Sequence, residues 1–273
     1  QSRIFKMDNK RHELIITIIP MVVTITVLVS SKIYTIITGQ KLNENIEITI
    51  IVGIILPLIA FFVINEYIKE KSRQEKIKDY CFKNNIEFSQ NISFSDLPPK
   101  SKSCLSLTRG TNPKLNTLMK KQRDGLTFFL FDYSFEIIKE NNYKNNKDYS
   151  TETICLINKP NLNLTPFTLR DSEFSMPNLN NNEQTSNLLK EDKDFCKKFH
   201  ILSNSKTRLD LIFNKPIREG FKNKHISGYK YEAKNDFFIV SKQGKLDLNE
   251  RLNLLKQAMD IFALVSSNNL NFE

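Results

Sequence analysis

Two long apolar runs dominate the first quarter of the chain. Residues 14–31 and 48–65 are 18 residues each and contain no charged side chain. At about 1.5 Å rise per residue such a run makes roughly 27 Å of helix, close to the ~30 Å hydrocarbon core of a bilayer. A core helix of a water-soluble domain carries a polar stripe, which neither run has. The connection between them is short and polar, with Gly39, Lys41, Glu44 and Glu47. The pattern predicts a transmembrane helical hairpin with spans at about 14–38 and 46–65. Pro20 and Pro57 sit inside the spans and read as kinks whose lost hydrogen bonds neighbouring groups satisfy. The second span is expected to run on to Lys83 as a charged helix, with Glu66 facing Lys69 and Glu70 facing Arg73. Ile77, Tyr80 and Cys81 return as one apolar face at its end.

Past the helix the period changes from helical to two. Phe129, Phe131, Tyr133, Phe135 and Ile137 alternate with Phe128, Leu130, Asp132, Ser134 and Glu136. This predicts an antiparallel strand over 126–138 with one buried and one mixed face. A loop at 140–149 leads to a returning strand at 151–158, and a third strand falls at 167–170. Residues 229–241 read as a hairpin turning at Lys234, Asn235 and Asp236. Residues 84–102 are turn-rich around Pro98 and Pro99, 104–108 suggest a short strand, and 113–121 a helical turn or irregular link. Residues 177–187 are asparagine-rich and lack periodicity, 194–203 fit a strand or a helix start, and 206–214 a short helix stopped by Pro216. The last helix starts at a capping box, Asp247 with Glu250, and carries a stripe of Leu248, Leu252, Leu255, Met259 and Phe262. The expected fold class is α+β: a helical hairpin, then a mostly antiparallel sheet with a C-terminal amphipathic helix. The expected divisions are 1–66, a juxtamembrane segment at 67–102 and a domain at 103–273.

Mean hydropathy is −0.36, an average of a very apolar quarter with a polar remainder. The net charge of +10 points to an acidic surface as partner, a lipid headgroup layer or nucleic acid. Placement of the charge favours topology over nucleic-acid binding. Arg3, Lys6, Lys10 and Arg11 precede the first span, and Lys69, Lys71, Arg73, Lys76 and Lys78 follow the second. The positive-inside rule then puts both termini in the cytoplasm. The first run lacks a small-residue cleavage site and reads as a retained anchor. Cys81, Cys104, Cys155 and Cys196 form no close pair, so neither a disulfide framework nor a zinc site is expected.

Candidate chemistry is sparse. Of the three histidines, His12 flanks the first span, His225 sits in a polar turn, and His200 follows Cys196 by four residues. On a helix that spacing would stack thiol on imidazole; on a strand the two lie about 13 Å apart. Asp132 is the carboxylate most exposed to a shifted pKa if buried. The seven glycines form no phosphate loop and no nucleophile elbow occurs, so no cofactor and no metal is inferred.

Three blocks carry a resemblance: Thr108, Arg109 and Gly110; Gly125 to Thr127 leading into Phe131, Asp132 and Tyr133; and Thr165 to Arg170. The stretch from Asp194 to Ile201, the helix from Lys206, and Gly244 to Asp247 before the final helix extend it. With them the chain resembles uncharacterised bacterial membrane proteins that join a two-helix N-terminal anchor to a cytoplasmic domain of unknown function. The resemblance implies architecture and membrane and brings no activity. The expected function is a membrane-anchored, non-enzymatic domain that binds another membrane or cytoplasmic protein, with Arg109, Asp132 and Tyr133 as contact residues. The alternatives are an accessory subunit of a larger integral membrane complex and a hydrolase built on Cys196 with His200 or on Asp132.

Overall fold

A computed structural model describes residues 44–141, 144–171, 192–202, 212–224 and 228–269 of the chain. Two compact units meet between Arg73 and Gln74. Helix α1, Glu44–Lys83, is continuous through Pro57. Its expected pairs form: Lys69 Nζ lies 3.1 Å from Glu66 and Arg73 Nη2 2.7 Å from Glu70. Among the described residues no helix is long and apolar enough to cross a membrane. The first expected span lies outside them, and in the second the side chains are described only from residue 58.

From Gln74 on, the unit is built on one eight-stranded sheet of order β1-β2-β3-β4-β8-β7-β5-β6. The strands are β1 Glu87–Ile92, β2 Thr111–Arg123, β3 Leu126–Asn141, β4 Lys144–Asn158, β5 Leu164–Asp171, β6 Phe199–Leu202, β7 Tyr229–Asn235 and β8 Phe237–Gln243. Every neighbouring pair is antiparallel. Among the described residues three further helices are α2 Lys193–Lys198, α3 Lys215–Lys224 and α4 Leu248–Asn269. The α+β class with a mostly antiparallel sheet therefore holds for this unit.

The sheet is buried on both faces. On β3, Phe129, Phe131, Tyr133 and Phe135 enter one core together with Leu97, Cys104 and Leu107. Leu130 enters the other with Ile77 and Cys81 of α1, Phe221 of α3, and Leu254, Ala258 and Ile261 of α4. The even face of β3, expected to be mixed, is thus an interior face. Ile77 and Cys81 dock as the helical pattern predicts, and the capping box of α4 closes with Glu250 N–H donating to Asp247 at 2.9 Å.

Five segments differ from expectation. The loop expected at 140–149 is mostly paired strand, because the β3–β4 ladder continues out to Asn141 and Lys144. Residues 113–121 belong to β2; two register shifts, with Asn112 and Thr117 at positive φ, break its alternation so that Leu115 and Leu118, three residues apart, enter the same core. Residues 104–108 form a 3-10 turn, Leu105–Leu107, because their amides are drawn to a buried carboxylate described below. Part of the juxtamembrane segment is the edge strand β1, so it belongs to the domain. Residues 215–224, read as a polar turn around His225, form α3 with Pro216 in its first turn, where no donor is needed, and Asn214 Oδ1 caps Ile217 N–H at 3.2 Å; the helix expected over 206–214 lies mostly outside the described residues. Residues 194–203 hold both expected elements in succession, α2 and then β6. The asparagine-rich loop lies outside the described residues.

Gly110 makes the turn into β2 at φ +65, and a Cβ there would sit 2.4 Å from the Glu136 carbonyl oxygen. Gly125, at φ +73 between β2 and β3, has open space around it. Gly110→Ala is expected to cost well over ~1 kcal/mol, whereas Gly125→Asn is expected to stay within about 1 kcal/mol of the parent because Asn tolerates the left-handed region. Urea unfolding midpoints at constant slope check the difference.

Candidate functional site

The structure brings Arg109 and Tyr133 together and sends Asp132 to the opposite face of β3. All three are interior groups. Arg109 is 8% exposed and Asp132 and Tyr133 are fully enclosed, so none of them is a surface contact residue as expected from sequence. Period-two alternation assigned Tyr133 and Asp132 to opposite faces correctly; it could not show that both faces are covered.

Tyr133 holds down the 3-10 segment that crosses its face of the sheet. Its hydroxyl lies 2.9 Å from the Arg109 carbonyl oxygen and 3.2 Å from that of Leu107. The Arg109 guanidinium reaches Glu152 Oε1 at 2.5 Å with both side chains buried. Glu152 stands opposite Tyr133 in the β3–β4 register, and directly opposed residues share a face. The same reasoning carries Ser241, Lys230, Glu232 and Thr168 onto this face through the β4–β8, β8–β7 and β7–β5 pairings. Glu232 is the second clamp on the crossing segment. One oxygen accepts the Leu105 amide at 2.6 Å, the other accepts the Ser106 amide at 2.7 Å and its hydroxyl at 2.6 Å. Burial pushes the Tyr133 phenol up to about 12, so it stays a neutral donor.

Asp132 meets Arg251 on the other face. The two form a fully buried ion pair. Thr153 Oγ1 lies 2.9 Å from Asp132 Oδ1 and accepts the Leu246 amide at 3.0 Å. Arg251 donates further to the Leu246 and Thr117 carbonyl oxygens, each at 3.2 Å. Arg251 was the residue that sequence reasoning missed. It lies on the same face of α4 as Leu254, Ala258, Ile261 and Val265, which are buried, while Met259 of the expected stripe is 46% exposed. The buried spacing 254, 258, 261, 265 lies one position away from most of the expected stripe, with the charged Arg251 at its head.

Little here serves covalent or proton chemistry. Burial raises the thiols of Cys104 and Cys155 to about 12 and of Cys81 to about 11, which keeps all three protonated at neutral pH. Cys196 is exposed, and burial with the nearby Asp192 charge raises it too. Cys196 falls in α2 and His200 in β6, so the two never share a helix face. Among the described residues no group of three or more His, Cys, Asp and Glu side chains converges to hold a metal ion.

A third feature is an apolar recess of about 170 Å³ between α4 and the sheet, floored by Met119, Phe128 and Leu130 and walled by Ile86, Leu255 and Met259. Lys121 and Arg123 are the two charged residues of its lining.

No family model matches this chain, and no curated protein matches it. Among solved structures it is similar to the mycobacterial trehalose monomycolate transport factor A, TtfA, at 9% identity and a TM-score of 0.46, over 71% of this chain and 96% of that one. A likeness at that level carries no functional argument.

Removing one partner of a buried pair strands the other charge, at a cost of roughly 3–5 kcal/mol, whereas an apolar pair of similar volume is often neutral. Arg251→Met alone is expected to lose about that much stability, and the double variant Asp132→Leu with Arg251→Met to recover most of it. A double-mutant cycle by urea unfolding measures the coupling.

Proposed function

We propose that this chain is a membrane-anchored, non-enzymatic binding domain whose sheet unit faces the cytoplasm and engages another membrane or cytoplasmic protein. One observation carries the anchoring. Ile59, Phe62, Val63, Ile64, Tyr67 and Ile68 of α1 are between 42% and 68% exposed. Phe62, Val63 and Ile64 are consecutive, so at 100° per residue they point to different sides of the helix. Exposed apolar side chains pointing to several sides of one helix need an apolar surrounding, which a bilayer supplies. In sequence, the uncharged run 48–65 continues this apolar stretch toward the N-terminus.

The non-enzymatic half of the proposal draws on the site. Charged side chains of the sheet interior are spent on structural bonds: Asp132 on Arg251, Arg109 on Glu152, Glu232 on the crossing 3-10 segment. The buried thiols are held neutral. Such a unit presents surfaces and loops instead of a reaction centre. Because Arg109, Asp132 and Tyr133 are interior, the partner surface is not theirs. An accessory subunit of a larger membrane complex draws on the same exposed α1 surface, with neighbouring helices in place of lipid.

The test is extraction and topology. The full chain is expected to stay with membranes after alkaline carbonate washing, and a reporter fused after Glu273 is expected to report the cytoplasm. Release into the wash, or an extracytoplasmic reporter, overturns the proposal.

A further inference from the structure

We propose that the recess between α4 and the β2–β3 ribbon binds a single-chain anionic lipid, holding the acyl chain with its head at Lys121 and Arg123. This goes beyond the binding function above and does not depend on it. Three observations carry the assignment. The first is shape and lining: six apolar side chains, from Ile86 and Met119 to Leu255 and Met259, line a partly open recess of about 170 Å³. Cavities of ~150 Å³ lined by such residues stay dry and take up benzene, so roughly six chain carbons fit here.

The second is charge in the lining. Lys121 Nζ donates to the Asn84 carbonyl oxygen at 3.2 Å, a contact that leaves its positive charge uncompensated. Arg123 pairs with Asp124 at 3.1 Å, with both side chains at least three-quarters exposed, so water screens that pair and a carboxylate can compete for it. The recess therefore keeps a net positive charge beside its apolar lining, the complement of a fatty-acid-like molecule. The third is the wall. Met259 leaves 46% of its surface exposed on a helix whose other face is fully packed. A thioether side chain is adaptable and moves aside without breaking hydrogen bonds.

The test uses the full chain in phosphatidylcholine nanodiscs and a fatty acid with a diazirine at its alkyl end, with labelled residues mapped by mass spectrometry. Labels are expected on Met119, Leu130, Leu255 or Met259. Competing n-alkanoates are expected to gain roughly fourfold in potency per methylene up to about six buried carbons and then level off. Met259→Glu, at an exposed position, is expected to cut recess labelling at least tenfold with the fold unchanged by circular dichroism. Lys121→Glu with Arg123→Glu is expected to weaken n-alkanoates tenfold and to leave n-alkanols of the same length unaffected. Labels confined to residues 59–68 would overturn the proposal while leaving the anchoring reading intact. Labels indifferent to Met259→Glu would overturn it as well. If N-acetylphenylalanine amide displaces the probe better than octanoate, the recess is a socket for a protein side chain, and the lipid assignment fails.

Discussion

The buried pair of Asp132 and Arg251 is the constraint around which the sheet unit is arranged. A carboxylate in the middle of an aromatic strand is costly to bury and must find a charged partner. Arg251 supplies that partner from the first turn of α4. In reaching it, the guanidinium also satisfies the carbonyl oxygens of Thr117 in the β2 bulge and of Leu246 in the turn before the helix. Thr153 closes the ring from β4. Three strands and the last helix thus share one polar node inside a core that is otherwise apolar. Such a node adds little net stability over an apolar substitute, whereas removing one of its partners strands a buried charge.

The opposite face follows a related rule. There the polar groups hold a segment of chain instead of a helix. Tyr133, Glu152 and Glu232 reach up from the sheet to Leu107, Arg109 and the amides of Leu105 and Ser106. The 3-10 turns that follow Pro98 and Pro99 lack a regular ladder of their own, so the sheet supplies acceptors for their amides. A covered face on each side leaves the sheet interior closed, and external contacts fall to its edges, its loops and the recess beside α4.

How much of this was legible in the sequence depended on whether a period survived. The β3 alternation, the β7–β8 hairpin with its left-handed Asn235, the α4 capping box and the docking of Ile77 and Cys81 all followed from local patterns. β2 did not, because two bulges shift its side chains between faces and leave no clean period-two signal. The 3-10 segment was hidden for another reason: Leu105 and Ser106 take their conformation from Glu232, more than 120 residues away. The expected contact trio failed in the same way. Arg109, Asp132 and Tyr133 stand out in sequence as polar groups among aromatics, and that feature marks buried pairs as readily as exposed sites. Their partners, Glu152 and Arg251, were distant and carried no local mark.

The chain joins a helix that exposes apolar side chains between Ile59 and Ile68 to an α+β unit whose sheet is covered on both faces. The proposed binding of another protein is open to direct test. The most direct measurement is the mass and composition of the complex released from native membranes by mild detergent. The account predicts a companion protein in fixed stoichiometry that stays bound through a second purification step. A lone chain, or copies of this chain alone, would contradict it.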